Sequence, residues 1–182
     1  MAADDLKLVD PTTKLKASYL AMVAEFRAAG ETYHENEWAL AICDFGTLVD
    51  RLKESARGVD LPDGAVPQNT FWLVRGATIL GYSRFRRRLV PHLEHEGGHI
   101  GYIIRPSERR KGYATRLLAL TLDKARAQGL PRALVTCDVT NVASNRVIRT
   151  NAGQLEDTRI SVRTGKPVNR YWIDLPAHGR PK

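Results

Sequence analysis

The sequence predicts an α/β (α+β) fold: one domain with a central mixed, mostly antiparallel sheet of about six or seven strands, flanked by about four helices. Three observations predict it. Short β-rich runs such as Thr70-Phe71-Trp72-Leu73-Val74 alternate with amphipathic helical segments along the chain. The length of 182 residues suits a single domain. From Tyr102 to Asp138 a strand, a basic glycine-containing turn, a helix and a second strand follow one another, and such a unit calls for a crossover with its two strands parallel.

Leu6 to Val9 reads as a first strand, closed by Asp10-Pro11-Thr12. Leu15, Tyr19, Met22, Val23 and Phe26 recur at helical spacing and stop at Gly30. The polar interval Glu31 to Glu37, with Tyr33, His34 and Trp38, reads as a loop anchored by its aromatics. Asp44 is placed to cap a second helix with the apolar face Phe45, Leu48, Val49 and Leu52, ending near Gly58. Thr70 to Val74 is continuous, as a strand buried on both faces should be, and Arg75-Gly76-Ala77 turns it into Thr78 to Arg88 as a hairpin.

Val90 to Gly98 reads as a loop, because Pro91 and Gly97-Gly98 argue against a helix. The strand His99 to Ile104 stops at Arg105-Pro106, since proline supplies no ladder donor. Leu117, Leu118, Leu122 and Ala125 then line one helical face up to Gly129. Arg132 to Asp138, a short helix from Val142 to Thr150, and a closing hairpin through Thr164-Gly165-Lys166-Pro167 complete the string. Residues 6–175 form the domain, with 1–5 and 176–182 as flexible ends.

The composition, 43% hydrophobic and 26% charged, is ordinary for a globular protein, and no apolar run approaches membrane length. The acidic start, Met1 to Asp5, lacks the build of a signal peptide, so a cytoplasmic location without membrane contact is expected. Cys43 and Cys137 are too few for a disulfide framework. Net charge +8 raises a nucleic-acid reading, concentrated at Arg84 to Arg88. A solvated edge explains that run as well, and no RNA-binding, zinc-finger or helix-turn-helix pattern accompanies it, so nucleic acid is not the expected partner.

The turn Arg109-Arg110-Lys111-Gly112-Tyr113-Ala114 opens a helix directly after a strand. Its first backbone N–H groups lack helical partners and point at whatever sits above the turn, which should be a phosphate. This stretch resembles the acyl-CoA-binding segment of the Gcn5-related N-acetyltransferase (GNAT) superfamily, Gln/Arg-x-x-Gly-x-Gly/Ala after a strand, with Arg109, Gly112 and Ala114 at the fixed positions. The order of elements over residues 6–175 fits as well. The chain further resembles a GNAT subgroup in Gly97 to Tyr102, Arg105 to Arg109, Thr136 to Asp138 and Arg170 to Trp172.

The resemblance implies an N-acetyltransferase that moves an acetyl group from acetyl-CoA to a primary amine, on a small molecule or a protein, by direct attack in a ternary complex. It implies no metal, and it allows a homodimer. Cofactor contacts are implied for Ile103, Ile104 and Arg105 at the strand end, for Arg109, Arg110, Lys111, Gly112, Tyr113, Ala114 and Thr115 in the turn, and for Asn141, Ser144 and Asn145 in the next turn. A strand N–H there serves as oxyanion donor in the family. Asn141 is equally placed to cap the short helix. Arg109 and Lys111 would add charge at the rim, and the loop Glu31 to Glu37 overhangs the acceptor pocket in such enzymes.

His99, Glu96 and Tyr102 are the candidates for acid–base work. Strand alternation places His99 and Tyr102 on opposite faces. In many family members a tyrosine on the last helix protonates the thiolate; Val147-Ile148 stand there instead, so Ser144, Tyr102 or water could serve. Glu31, Glu35 and Glu37 could attract a cationic amine or merely face water. His92, His95 and His99 would share one face only on a helix, so a metal is not expected. A non-catalytic CoA sensor and a basic nucleic-acid-associated protein remain the alternative readings.

Overall fold

The computed structural model describes residues 5–176, so residues 1–4 and 177–182, most of the two ends expected to be flexible, lie outside the described residues. Strand β1 (Leu6–Val9) leads into three helices, α1 (Lys16–Ala28), α2 (Glu35–Cys43) and α3 (Phe45–Arg57). The hairpin β2 (Gln68–Arg75) and β3 (Thr78–Arg86) follows, then α4 (Pro91–His95), β4 (Ile100–Ile104) and α5 (Tyr113–Ala127). The chain closes with β5 (Arg132–Asp138), α6 (Val142–Thr150), β6 (Gln154–Ile160) and β7 (Pro167–Asp174).

Most of these elements form where the periodicity puts them. Asp44 caps α3 through its carboxylate on the Thr47 amide at 3.0 Å, and Gly58 ends that helix in the left-handed conformation. Two helices depart from expectation. The segment Glu31 to Glu37, expected as an aromatic-anchored loop, runs into the helix α2 from Glu35 onward, held by packing rather than pattern, since Trp38 stacks on Phe26 with ring centroids 5.1 Å apart. The interval from Val90 to Gly98 holds the short helix α4, because Pro91 occupies its first turn, where no intrahelical N–H is needed.

The strands divide into two antiparallel sheets, in the orders β1-β2-β3-β4 and β5-β7-β6. The expected parallel ladder between β4 and β5 is absent. One backbone hydrogen bond bridges them, from the His99 amide to the Leu134 carbonyl at 2.7 Å, and beyond it the two strands part. Side chains alternate across β2: Trp72 and Val74 pack with α1, α2 and α3, whereas Phe71 packs on the other face with Leu118 of α5 and Ile148 of α6. Both faces are covered, which explains the uninterrupted apolar run in β2.

Candidate active site

Between β4 and α5 the chain makes a turn that exposes its own donors. Arg110 and Gly112 adopt positive φ of 63° and 82°, and α5 starts at Tyr113 with Gly112 as a cap that has no side chain to offer. Among the described residues, none of the amides from Arg110 to Thr115 donates to a protein acceptor; the first helical bond runs from Arg116 to the Gly112 carbonyl. Six donors at the positive end of a 15-residue helix form an anion cradle. A Cβ at Gly112 would meet nothing within 4 Å, so conformation rather than crowding requires glycine there.

The cations of the turn are used differently from expectation. Arg105 pairs with Glu25 of α1 at 2.7 Å, and the same carboxylate accepts the Ser107 amide at 3.0 Å. Burial raises the Glu25 carboxyl, but these donors outweigh it and hold it at about 2. Arg109 and Lys111, expected at the phosphate rim, are turned away: Arg109 reaches Glu31 at 2.6 Å and the Ile104 carbonyl at 3.1 Å, and Lys111 pairs with Glu108 at 3.0 Å. These pairs fasten the turn to α1 and β4. Arg110 alone among these four has no carboxylate partner within the described residues. Tyr113 lies under the Arg75 guanidinium, Ala114 packs near Leu117, and the Thr115 carbonyl accepts Asn151.

The ladder phase of β4 decides which backbone groups face the parted strands. Arg86 donates to the His99 carbonyl and Arg105 to the Leu80 carbonyl, so Gly101 and Ile103, in step with them, bond to β3. The groups of Tyr102 and Ile104 point toward β5. The backbone groups of Ile103 are therefore spent on β3, those of Tyr102 are not, and Ile104 gives its carbonyl to Arg109.

Where the strands part, the Tyr102 hydroxyl lies 2.8 Å from Ser144 Oγ. Cys137 packs against the same apolar cluster as Tyr102, and burial pushes its thiol up to about 11 and the Tyr102 phenol up to about 12. Cys137, the middle residue of the Thr136 to Asp138 motif at the end of β5, was not among the expected site residues. Asn141 caps α6 by accepting the Ser144 amide at 3.0 Å. Asn145 has no free atom for a cofactor: its Nδ2 donates to the Asp138, Val139 and Asn141 carbonyls, and its Oδ1 accepts Asn169 and Tyr171.

The acid–base candidates are not brought together. His99 is buried, and its Nδ1 accepts the Leu134 amide at 2.9 Å, so the ring joins the two sheets at their seam. Burial, aided by the Arg86 charge, pushes the ring down to about 4, which makes it a poor base for an amine. Glu96 caps the end of α4 and lines a cleft beside that helix. The acidic residues near α2 are all engaged, Glu31 with Arg109, Glu35 with Arg27, and Glu37 with Arg84 and Tyr19. Arg84 is thereby removed from the basic run, and Arg86 reaches the Gly98 carbonyl, so Arg84 to Arg88 is no continuous surface stripe. Among the described residues no group of three or more His, Cys, Asp or Glu is arranged to hold a metal, and no helix is long and apolar enough to cross a membrane.

One buried and one half-buried ring, His99 and His34, make a pH prediction. Burial also pushes His34 down to about 4, so both rings stay neutral where the unfolded chain, at the ordinary value of 6.5, takes up protons. Stability is therefore full above that value and falls as the pH drops through the window toward 4. Thermal midpoints across this range should decline, and His99→Gln should flatten part of the slope; an identical slope in the variant would contradict the assignment.

The family model for the acetyltransferase (GNAT) domain matches residues 20–153. The chain belongs to this GNAT family. As a member of this acetyltransferase family it is an acyltransferase. Among solved structures, the GNAT chain is similar to RimL, a ribosomal alpha-N-protein acetyltransferase held with coenzyme A as a cysteine disulfide, at 19% identity and TM-score 0.72 over 97% of this chain and 98% of that one. It is similar to the microcin self-immunity acetyltransferase MccE, in complex with acetyl-CoA and AMP, at 16% identity and TM-score 0.68, covering 94% and 93%. An acetyltransferase from Salmonella typhimurium that modifies the N-terminal serine of a 50S ribosomal subunit protein gives 17% identity and TM-score 0.68 over 96% and 97%. These likenesses show the shared GNAT fold. No curated protein matches the sequence.

Proposed function

We propose that this GNAT enzyme acetylates a primary amine by direct attack on acetyl-CoA in a ternary complex. The observation that carries the reading is the continuity of two features: the free amides from Arg110 to Thr115 suit a diphosphate, and the parted β4 and β5 lead from them to Tyr102, Ser144 and Cys137. The pantetheine arm lies along the free edge of β4, and the amide of Tyr102 or Ile104 is oriented to meet the carbonyl oxygen as it gains charge. The acetylated sulfur then ends beside the hydrogen-bonded hydroxyls of Tyr102 and Ser144.

The proton balance fits those groups. An ammonium acceptor loses two protons, one before attack and one as the C–N bond forms. When the C–S bond breaks, the leaving thiolate needs one proton, which the Tyr102–Ser144 pair is placed to give; the other leaves to solvent. Cys137, held protonated by burial, is a poor acyl carrier at neutral pH, which favours direct attack over a covalent enzyme intermediate. RimL holds coenzyme A as a disulfide with one of its cysteines, and Cys137 is the half-buried thiol where this reading places the CoA sulfur.

Ser144→Ala should lower kcat by about 100-fold while leaving acetyl-CoA affinity within about twofold. Thiol release and calorimetry read the two quantities. Full kcat in both Ser144→Ala and Tyr102→Phe would remove the proposed proton donor. The sensor reading drew on the missing helix tyrosine; it regains ground if no amine provokes CoA release despite tight cofactor binding.

A further inference from the structure

A cleft of about 540 Å³ lies between α4, the end of β5 and the connection from β6 to β7. Glu96 Oε2 is buried there without a hydrogen-bond partner. Its other oxygen is 3.6 Å from Arg163 Nε, beyond hydrogen-bond range, and that arginine side chain is 70% exposed, so the pair is weak. A carboxylate oxygen taken out of water without a donor is unfavourable until something supplies one. Asp138 adds a second carboxylate, while Leu93, Val162 and Val168 provide apolar walls. Cys137 lines this cleft and packs against the same apolar cluster as Tyr102, so the cleft adjoins the place assigned to the thioester.

We propose that the cleft receives the acceptor and selects a primary ammonium carried on an apolar body, with the nitrogen held by Glu96 and the body lying against Leu93, Val162 and Val168. This assignment rests on the acyl-transfer reading above. An ammonium brings three donors to a carboxylate whose Oε2 has none and whose charge is met only by the exposed Arg163. The apolar walls reward a hydrocarbon tail, and the two carboxylates oppose an acceptor that carries its own carboxylate beside the nitrogen.

The test is titration of n-hexylamine into the protein saturated with coenzyme A, followed by thiol release from acetyl-CoA with the same amine and with glycine. Hexylamine should bind and be acetylated in preference to glycine. Glu96→Gln, which keeps shape and removes charge, should weaken hexylamine binding at least about tenfold with acetyl-CoA affinity unchanged. Equal hexylamine binding by the wild type and Glu96→Gln would overturn the proposal, as would a preference for glycine. Glu96-dependent hexylamine binding without thiol release in the wild type would support the cleft assignment and count against acyl transfer instead, which keeps the two failures apart.

Discussion

Gly112→Glu should lower the affinity for acetyl-CoA by at least about 100-fold, which corresponds to about 2.7 kcal/mol. The residue sits at φ 82° immediately before α5, in the middle of the run of unpaired amides. A glutamate there places a negative charge where the helix end is positive and where a diphosphate has to lie, so like charges meet over the same donors. The fold should survive. The space beyond a Cβ at this position is open, and the left-handed conformation costs a non-glycine residue about 1 to 2 kcal/mol. Gly112→Ala carries only that strain and separates it from the charge effect. Calorimetry with acetyl-CoA beside thermal melts measures both, and wild-type affinity in Gly112→Glu would mean that the phosphates bind elsewhere.

Gly81→Ala should destabilise the protein by about 3 kcal/mol, a loss of about 10 °C in Tm. Gly81 lies in β3 opposite Ile104, and an added Cβ would stand 2.4 Å from the Ile103 carbonyl oxygen and 2.8 Å from Ile104 Cδ1. The first of these is backbone and cannot swing aside. Relief requires β3 and β4 to separate, at the point where β4 must hold Tyr102 and Ile104 facing the other way. Acetyl-CoA affinity should fall together with Tm. A melting temperature within about 2 °C of wild type would show that the strand spacing is softer than the packing implies.

Gly81 also shows what a sequence can reveal. A lone glycine inside the β-rich run Ile79 to Phe85 is a local signal of close backbone approach that the sequence reading left unused. The helix α5, its glycine cap and the flanking strands were legible for the same reason: hydrophobic period, turn residues and the crossover unit all lie within one stretch of chain. The destinations of the charged groups were not legible. Arg105 and Arg109 belong to a basic motif that invites phosphate contacts, yet their carboxylates come from Glu25 and Glu31, about 80 residues earlier. Asn145 matched a cofactor turn, while Asn169 and Tyr171, which occupy its oxygen, arrive only with β7. The helix α2 escaped because Trp38 and Ala41 are its only fully buried residues, too few to set a period, and its stability comes from the stack on Phe26.

Among the described residues the two sheets meet at a single backbone rung, His99 to Leu134, and then diverge. Sheets are ordinarily stitched by a ladder whose bonds reinforce one another; here the stitching is left unfinished, and an extended arm with amide groups of its own can take the place of the missing rungs. On the proposed reading the thioester carrier would act as a temporary strand, and its arrival should tighten both leaves of the protein about their common spine.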